Sequence, residues 1–314
     1  MQTSKTPRLF MTLAMVAALL ALGLIVLGAV VRVTDSGLGC GDDWPLCNGT
    51  IFPPLNNVTA WIEWSHRLVA MSIGVFGIGM LVTVFRSHRS NRLAVGATVL
   101  AAILYALQSG IGRGVVKAEL SLTLVAFHLG TAMLLLAALT VAAVAGRYRA
   151  GLGYARDNVT TLVYINAALS LVVILLGAMV RGSGATLACT DWPLCNGQVL
   201  PFAQGQLATI HMIHRFAVLA LGITLLMLVW YAYQYRPAGR ARAMATLTFV
   251  LYLAQAGVGA MFVMSAAGPL LGAAHVGLAA ATWALLVVFS TVEMLNTGEQ
   301  PETQWKPQSE PLSQ

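Results

Sequence analysis

Residues 27–53 read LGAVVRVTDSGLGCGDDWPLCNGTIFP, and residues 176–201 read LGAMVRGSGATLACTDWPLCNGQVLP. Both runs carry an Arg (Arg32, Arg181), two Cys and a Trp-Pro-Leu-Cys-Asn-Gly block, in one order. After a linker the first leads to IEWSHR at 62–67 and the second to IHMIHR at 210–215. The correspondence continues downstream. His66 maps to His214, His128 to His275, and Gln108-Ser-Gly-Ile-Gly to Gln255-Ala-Gly-Val-Gly, at offsets of 147 to 149 residues from Gly28/Gly177 onward. Near-constant spacing over a whole half means that a multi-helix unit has been duplicated.

The composition names the solvent of that unit. Of 314 residues, 58% are hydrophobic and 9% charged, with a mean hydropathy of +0.78. Apolar runs long enough to cross a bilayer predict eight helical spans, at 10–31, 64–85, 93–113, 121–145, 161–181, 207–231, 244–264 and 270–294. The expected fold class is an all-α polytopic membrane protein, its eight transmembrane helices arranged as two pseudo-symmetric four-helix bundles. The division falls at 1–148 and 149–314. An even number of spans per half preserves direction, which makes the halves parallel repeats about an axis along the membrane normal. The apolar core of the first span is too long for a signal peptide, so the span is read as retained.

Charge sets the orientation. Twelve of the 18 Lys and Arg fall in the N-terminus, the even-numbered loops or the tail, among them Lys5, Arg149 and Lys306. The positive-inside rule then places both termini in the cytoplasm and the Cys loops outside, for a multi-pass protein of the plasma or inner membrane. The net charge of +7 reflects this topology and implies no nucleic-acid partner.

Four of the six His occupy matched places near the outer ends of spans 2, 4, 6 and 8. Ionisable groups at such depth are unfavourable unless they have a function. One His from each of two facing helices is how a helical bundle clamps a haem iron axially. That predicts one pocket at His66 and His128 and another at His214 and His275. Zinc would need further ligands that neither half supplies. Gly130 and Gly277, two residues beyond a His, are expected to relieve crowding against a flat macrocycle. Arg67 and Arg215 directly follow a His and read either as snorkelling interfacial cations or as partners of haem propionates. Cys40/Cys47 and Cys189/Cys195 predict one local disulfide in each outer loop, where the compartment is oxidising. A redox role for the first pair stays open, and the absence of CxxCH leaves covalent haem attachment unsupported. His88, in a basic loop, reads as solvated. Glu63 breaks the symmetry: it shares a helix face with His66, three residues on, and its counterpart is His211. Either it caps the helix start, or it gives the first pocket a chemistry that the second lacks.

Taken together, the eight spans in two halves, Glu63-x-x-His66-Arg67, His214-Arg215, His128, His275 and the Cys pairs resemble the haem A synthase family. The resemblance covers all eight spans. It implies an oxidoreductase acting on a CH3 group, which oxidises the C8 methyl of haem O to a formyl group by successive hydroxylations and supplies haem A to terminal oxidases. It also implies haem b as cofactor on His214 and His275, substrate haem O between His66 and His128, and Glu63 as catalytic carboxylate. Cys40–Cys47 would be the loop disulfide. Haem O synthase is a candidate partner, alongside the lipid bilayer, and a homo-oligomer stays open. The chief rival is a di-haem b membrane electron-transfer cytochrome, or quinol oxidoreductase. A haem carrier without chemistry is a third reading.

Overall fold

The computed structural model describes residues 6–148 and 156–297. Lys5, Arg149 and Lys306 of the charge argument lie outside them. Eight long helices appear, α1 (Thr6–Val33), α2 (Val58–Ser87), α3 (Arg92–Lys117), α4 (Leu122–Arg147), α5 (Asn158–Gly182), α6 (Gln206–Tyr235), α7 (Arg240–Met264) and α8 (Pro269–Asn296). All eight are long and apolar enough to cross a membrane. A lipid-embedded chain must satisfy its backbone within each element, and uninterrupted helices do so. The protein is an all-α, multi-pass membrane protein. Most helices run past the expected spans at one or both ends; α2 begins at Val58 where 64 was expected, and α6 ends at Tyr235 where 231 was expected.

Short polar residues fix several helix starts. Asn57 accepts the Ala60 N–H at 3.0 Å, Asn91 that of Ala94 at 3.0 Å, and Asp157 that of Thr160 at 3.0 Å, each satisfying a first-turn donor. Asn91 also donates to Ala145 O at 2.8 Å, tying the start of α3 to the end of α4.

Around Thr6–Arg147, α1 packs on α2 and α4, and α3 packs on the same two, so the four helices close a ring in which α2 and α4 face each other across the middle. Helices α5 to α8 close a second ring through the corresponding pairings, with α6 and α8 across the middle. Tyr105 lies over Gly74 and donates to Ala70 O at 3.1 Å; Tyr252 lies over Gly222 and donates to Val218 O at 3.0 Å. Small residues permit such close approach, and packing is the driving force available between helices in lipid.

The rings meet through α1, α4, α5 and α8. Buried Trp283 donates to Met133 O at 2.9 Å across this seam. Gly130 and Gly277 belong here too. A Cβ on Gly130 would stand 3.0 Å from the Leu175 side chain, and one on Gly277 would stand 3.2 Å from Val26. They are seam glycines, which corrects the macrocycle reading of the sequence. At the end away from the disulfides, His88 lies against Phe10 with ring centroids 4.7 Å apart and the planes tilted by 41°, and hydrogen-bonds Ser87 at 2.8 Å. It is half-buried, not simply solvated, and burial lowers its pKa.

At the same end of the second ring, buried Arg236 donates to Asp157, to Glu293 at 2.8 Å and to Thr160 at 3.4 Å, joining α5, α6 and α8. A buried carboxylate stripped of its cation is strongly unfavourable. Arg236→Met is therefore expected to lower stability by about 3–5 kcal/mol, read as a fall in the thermal midpoint of the detergent-purified protein. An unchanged midpoint would remove the triad's structural role.

Candidate functional site

Each disulfide loop is a small covalently closed hairpin. Cys40–Cys47 and Cys189–Cys195 are both bonded, and all four Cys are fully buried. Cys47 and Thr50 exchange backbone hydrogen bonds at 2.8 and 3.0 Å, as do Cys195 and Gln198. Between them Asn48-Gly49 and Asn196-Gly197 all have positive φ, the tight turn that Asn-Gly favours. The Asn-Gly pair was the available signal for these hairpins. The Trp44-Pro45 and Trp192-Pro193 bonds are both cis. In the loops, Asp42 pairs with Lys117 at the end of α3 at 3.1 Å, which lowers the Asp42 carboxyl pKa; the Gly197 N–H, donating to Asp191 at 2.8 Å, lowers that of Asp191.

The two arginines hold these loops down. Arg67 donates to Asp43 O at 2.8 Å and Leu46 O at 2.7 Å. Arg215 donates to Leu194 O and, at 3.4 Å, to Pro193 O. A guanidinium presents several donors in a planar fork, and here that fork collects backbone carbonyls. Loop clamping is thus the observed work of both residues, a third alternative to the snorkelling and propionate readings.

Beneath each clamp the halves differ. Glu63 is buried; one carboxylate oxygen pairs with Arg67 and the other accepts the Cys40 N–H at 2.9 Å. It serves the loop and not the first-turn N–H groups of its own helix. In the second half buried His211 places Nδ1 2.9 Å from Ala185 O and Nε2 3.3 Å from Arg215. Gly39 makes the first arrangement fit, since a Cβ there would stand 2.5 Å from the Thr59 backbone carbon. The corresponding residue of the second half is Ala188.

Below the clamps lie the four histidines, all half-buried and all toward the disulfide end of their helices. His66 on α2 and His128 on α4 are close enough to interact electrostatically, and so are His214 on α6 and His275 on α8. Each pair reaches across its ring. Every imidazole lies against a glycine of the neighbouring helix: a Cβ would come within 3.3 Å of the His66 ring at Gly28, 3.1 Å of His128 at Gly112, 3.2 Å of His214 at Gly177 and 2.8 Å of His275 at Gly259. These four glycines, two of them the second Gly of the Gly-X-Gly fragments, accommodate the rings. Gln108 and Gln255 place their amide nitrogens 3.3 Å from Nε2 of His128 and His275.

The pockets suit haem on this chemistry. Nδ1 of His128 is buried without a hydrogen-bond partner in the protein, so that ring keeps a nitrogen uncommitted, while the rings of His214 and His275 lie near the backbone carbonyls of Val173 and Gln255. Among the described residues no three His, Cys, Asp or Glu side chains cluster as a metal site. A haem would ask only two ligands of the protein, and His66 with His128, or His214 with His275, would be the residues to hold it.

The fold and these pockets define a helical membrane protein that presents paired histidines in each of two rings beneath disulfide-closed loops. Residues 11–287 match the COX15-CtaA family, described as cytochrome oxidase assembly protein, and the chain belongs to that family. Among its relatives, a protein of Symbiobacterium thermophilum named "Heme A synthase" is 31% identical over 83% of this chain and 88% of its own length. Proteins of the same name from Alkalihalophilus pseudofirmus and an Exiguobacterium species are 34% identical over 77% of this chain and 84% of theirs, and 30% identical over 95% of both.

Gly39→Ala pushes the loop off α2 and breaks the Cys40–Glu63 bond, a charge-assisted hydrogen bond of roughly 1.5–3 kcal/mol. Thermal unfolding should fall accordingly, and limited proteolysis should cut within residues 34–57 before 183–205. Equal loop resistance in the variant would contradict the close seating.

Proposed function

We propose that this chain is a haem A synthase that oxidises the C8 methyl of haem O to a formyl group by successive hydroxylations. The observation that carries this reading is an inequality between two matched sites: a buried carboxylate, Glu63, stands three residues before His66 on α2, where α6 has His211 before His214. A protein that only stored or relayed two haems would have no need of it. The four His also gather at one end of the helices, whereas a cytochrome carrying electrons across the membrane needs haems toward both faces.

On this reading residues 1–148 hold haem O between His66 and His128, and residues 149–314 hold haem b on His214 and His275. The bound haem b supplies one-electron chemistry. The protein's own contributions are positional. Arg67 and the Cys40 amide fix the Glu63 carboxylate on the helix that carries His66, where it would serve as the proton acceptor of the first pocket. The clamped loops close the pocket ends against water. By charge distribution the termini are cytoplasmic and the disulfide loops outside. Haem O synthase is the natural supplier of so apolar a substrate, and a homo-oligomer is compatible with the reading.

Glu63→Gln should lower haem A formation by roughly 10²–10⁴-fold while the second-half haem spectrum stays intact. Unchanged haem A yield would sink the catalytic role. His214→Ala or His275→Ala should strip the low-spin b haem from purified protein, whereas His66→Ala should abolish turnover and retain it. Loss of all bound haem from the His66 variant alone would reverse the two assignments.

A further inference from the structure

A groove of about 410 Å³ runs between α3 and α4, lined by Leu93, Gly96, Ala97, Leu104, Ala138 and Val141 among others, with Arg92 at its end away from the disulfides. Its volume lies within the roughly 300–1,000 Å³ usual for small-molecule sites. The lining side chains are apolar except Arg92. We propose that this groove seats the isoprenoid tail of the substrate haem; the proposal rests on the haem O reading above.

Three observations lead there. The first is continuity with the pocket. Leu93, Ala97, Leu100, Leu104 and Gln108 follow one another at spacings of three or four residues and so share one face of α3. Gln108, at the upper end of that face, donates to His128 O at 3.0 Å. The groove therefore starts one helical turn below the residue that touches the first-half histidine.

The second is direction. The propionates and the farnesyl-bearing substituent lie on opposite edges of the macrocycle. A haem whose propionates point toward the loop end, where Arg32, Arg67 and Arg113 lie, sends its tail toward the other end. From Leu104 to Arg92 the helix offers about 18 Å of track at 1.5 Å per residue.

The third is the comparison between halves. At the 147-residue offset Gly96 becomes Ala243, Ala97 becomes Met244 and Ala138 becomes Leu285, while Leu134 becomes Ala281. Met244 packs against the buried core of the second ring. At three of these four positions the half proposed to hold haem b, which has no tail, carries the larger side chain, and at the fourth the smaller. Bilayer hydrocarbon is as apolar as the groove, so burial alone gains little. The groove acts through shape: it fixes the rotation of the macrocycle about its iron, and with it which methyl group meets Glu63.

The test uses Gly96→Leu in the full chain. A side chain there meets open space, so the variant fills the groove without crowding the protein. Retention of the second-half haem spectrum and of the thermal midpoint confirms folding. Conversion at limiting haem O should fall roughly tenfold or more. In spectral titrations the wild type should take up added haem O in preference to haem b, and the variant should lose that preference. Equal conversion by variant and wild type overturns the proposal and leaves the activity standing. Equal weakening toward haem O and haem b overturns it as well. Loss of a co-purifying phospholipid with no change toward haem O would assign the groove to a lipid chain, and also overturns it. A wild-type chain that forms no haem A overturns the activity reading; the haem O preference then decides the tail site independently. If Gly96→Leu does not fold, Ala97→Met, which imports the second half's residue, asks the same question.

Discussion

The grip of one arginine fork on the carbonyls of a disulfide-closed loop is the interaction on which both sites depend. Arg67 and Arg215 immediately follow a histidine, so each loop is fastened to the helix turn that presents an imidazole to the ring interior. The disulfide keeps the loop a compact unit whose carbonyls converge on one point, and closing so short a loop contributes roughly 2–3 kcal/mol in the chain-entropy view. In the first half the fork works alongside the Cys40–Glu63 bond, the Lys117–Asp42 pair and the Trp64 indole donating to Ile51 O. Direct juxtaposition of His and Arg in sequence is what makes loop position and ligand position one variable.

On that shared frame the halves diverge most plainly at Glu63 and His211. Beneath the clamp, Glu63 gives Arg67 an anionic partner and accepts the Cys40 amide, while His211 contacts Arg215 with a ring nitrogen and reaches Ala185 O with the other. The first loop is therefore fixed by a carboxylate carried on the same helix as His66. The second is held by a contact with no carboxylate at all. Gly39 against Ala188 shows that the difference extends into the loop backbone. The two halves share their helix pairings and differ beneath the clamp, the difference on which the proposed division between a fixed cofactor and a reacting haem rests.

Much of this was legible in the sequence because bilayer and repeat constrain the same residues. Apolar runs locate eight helices whatever their packing, and matched offsets pair His66 with His214 and His128 with His275 before any coordinates exist. Packing direction was not legible. Gly130 and Gly277 lie close to histidines along the chain but face the other ring, whereas Gly28, Gly112, Gly177 and Gly259, on neighbouring helices, border the imidazoles. Sequence distance to a ligand does not reveal which helix face a residue occupies. The arginines posed a similar difficulty: an interfacial cation is open to several partners, and only the folded loops bring the carbonyls of Asp43 and Leu46 within reach of Arg67. Likewise Arg236 read as a topological charge, and its partners Asp157 and Glu293 come from helices far apart in the chain.

The central claim is that a duplicated haem-binding frame has become an enzyme in one half. The most direct measurement is extraction and chromatography of the non-covalent haems from cells that make haem O, with and without this chain. The account predicts that haem A appears only when the chain is present, with haem O depleted in step. Haem O left unconverted beside a membrane-inserted chain that carries its b haem would contradict it.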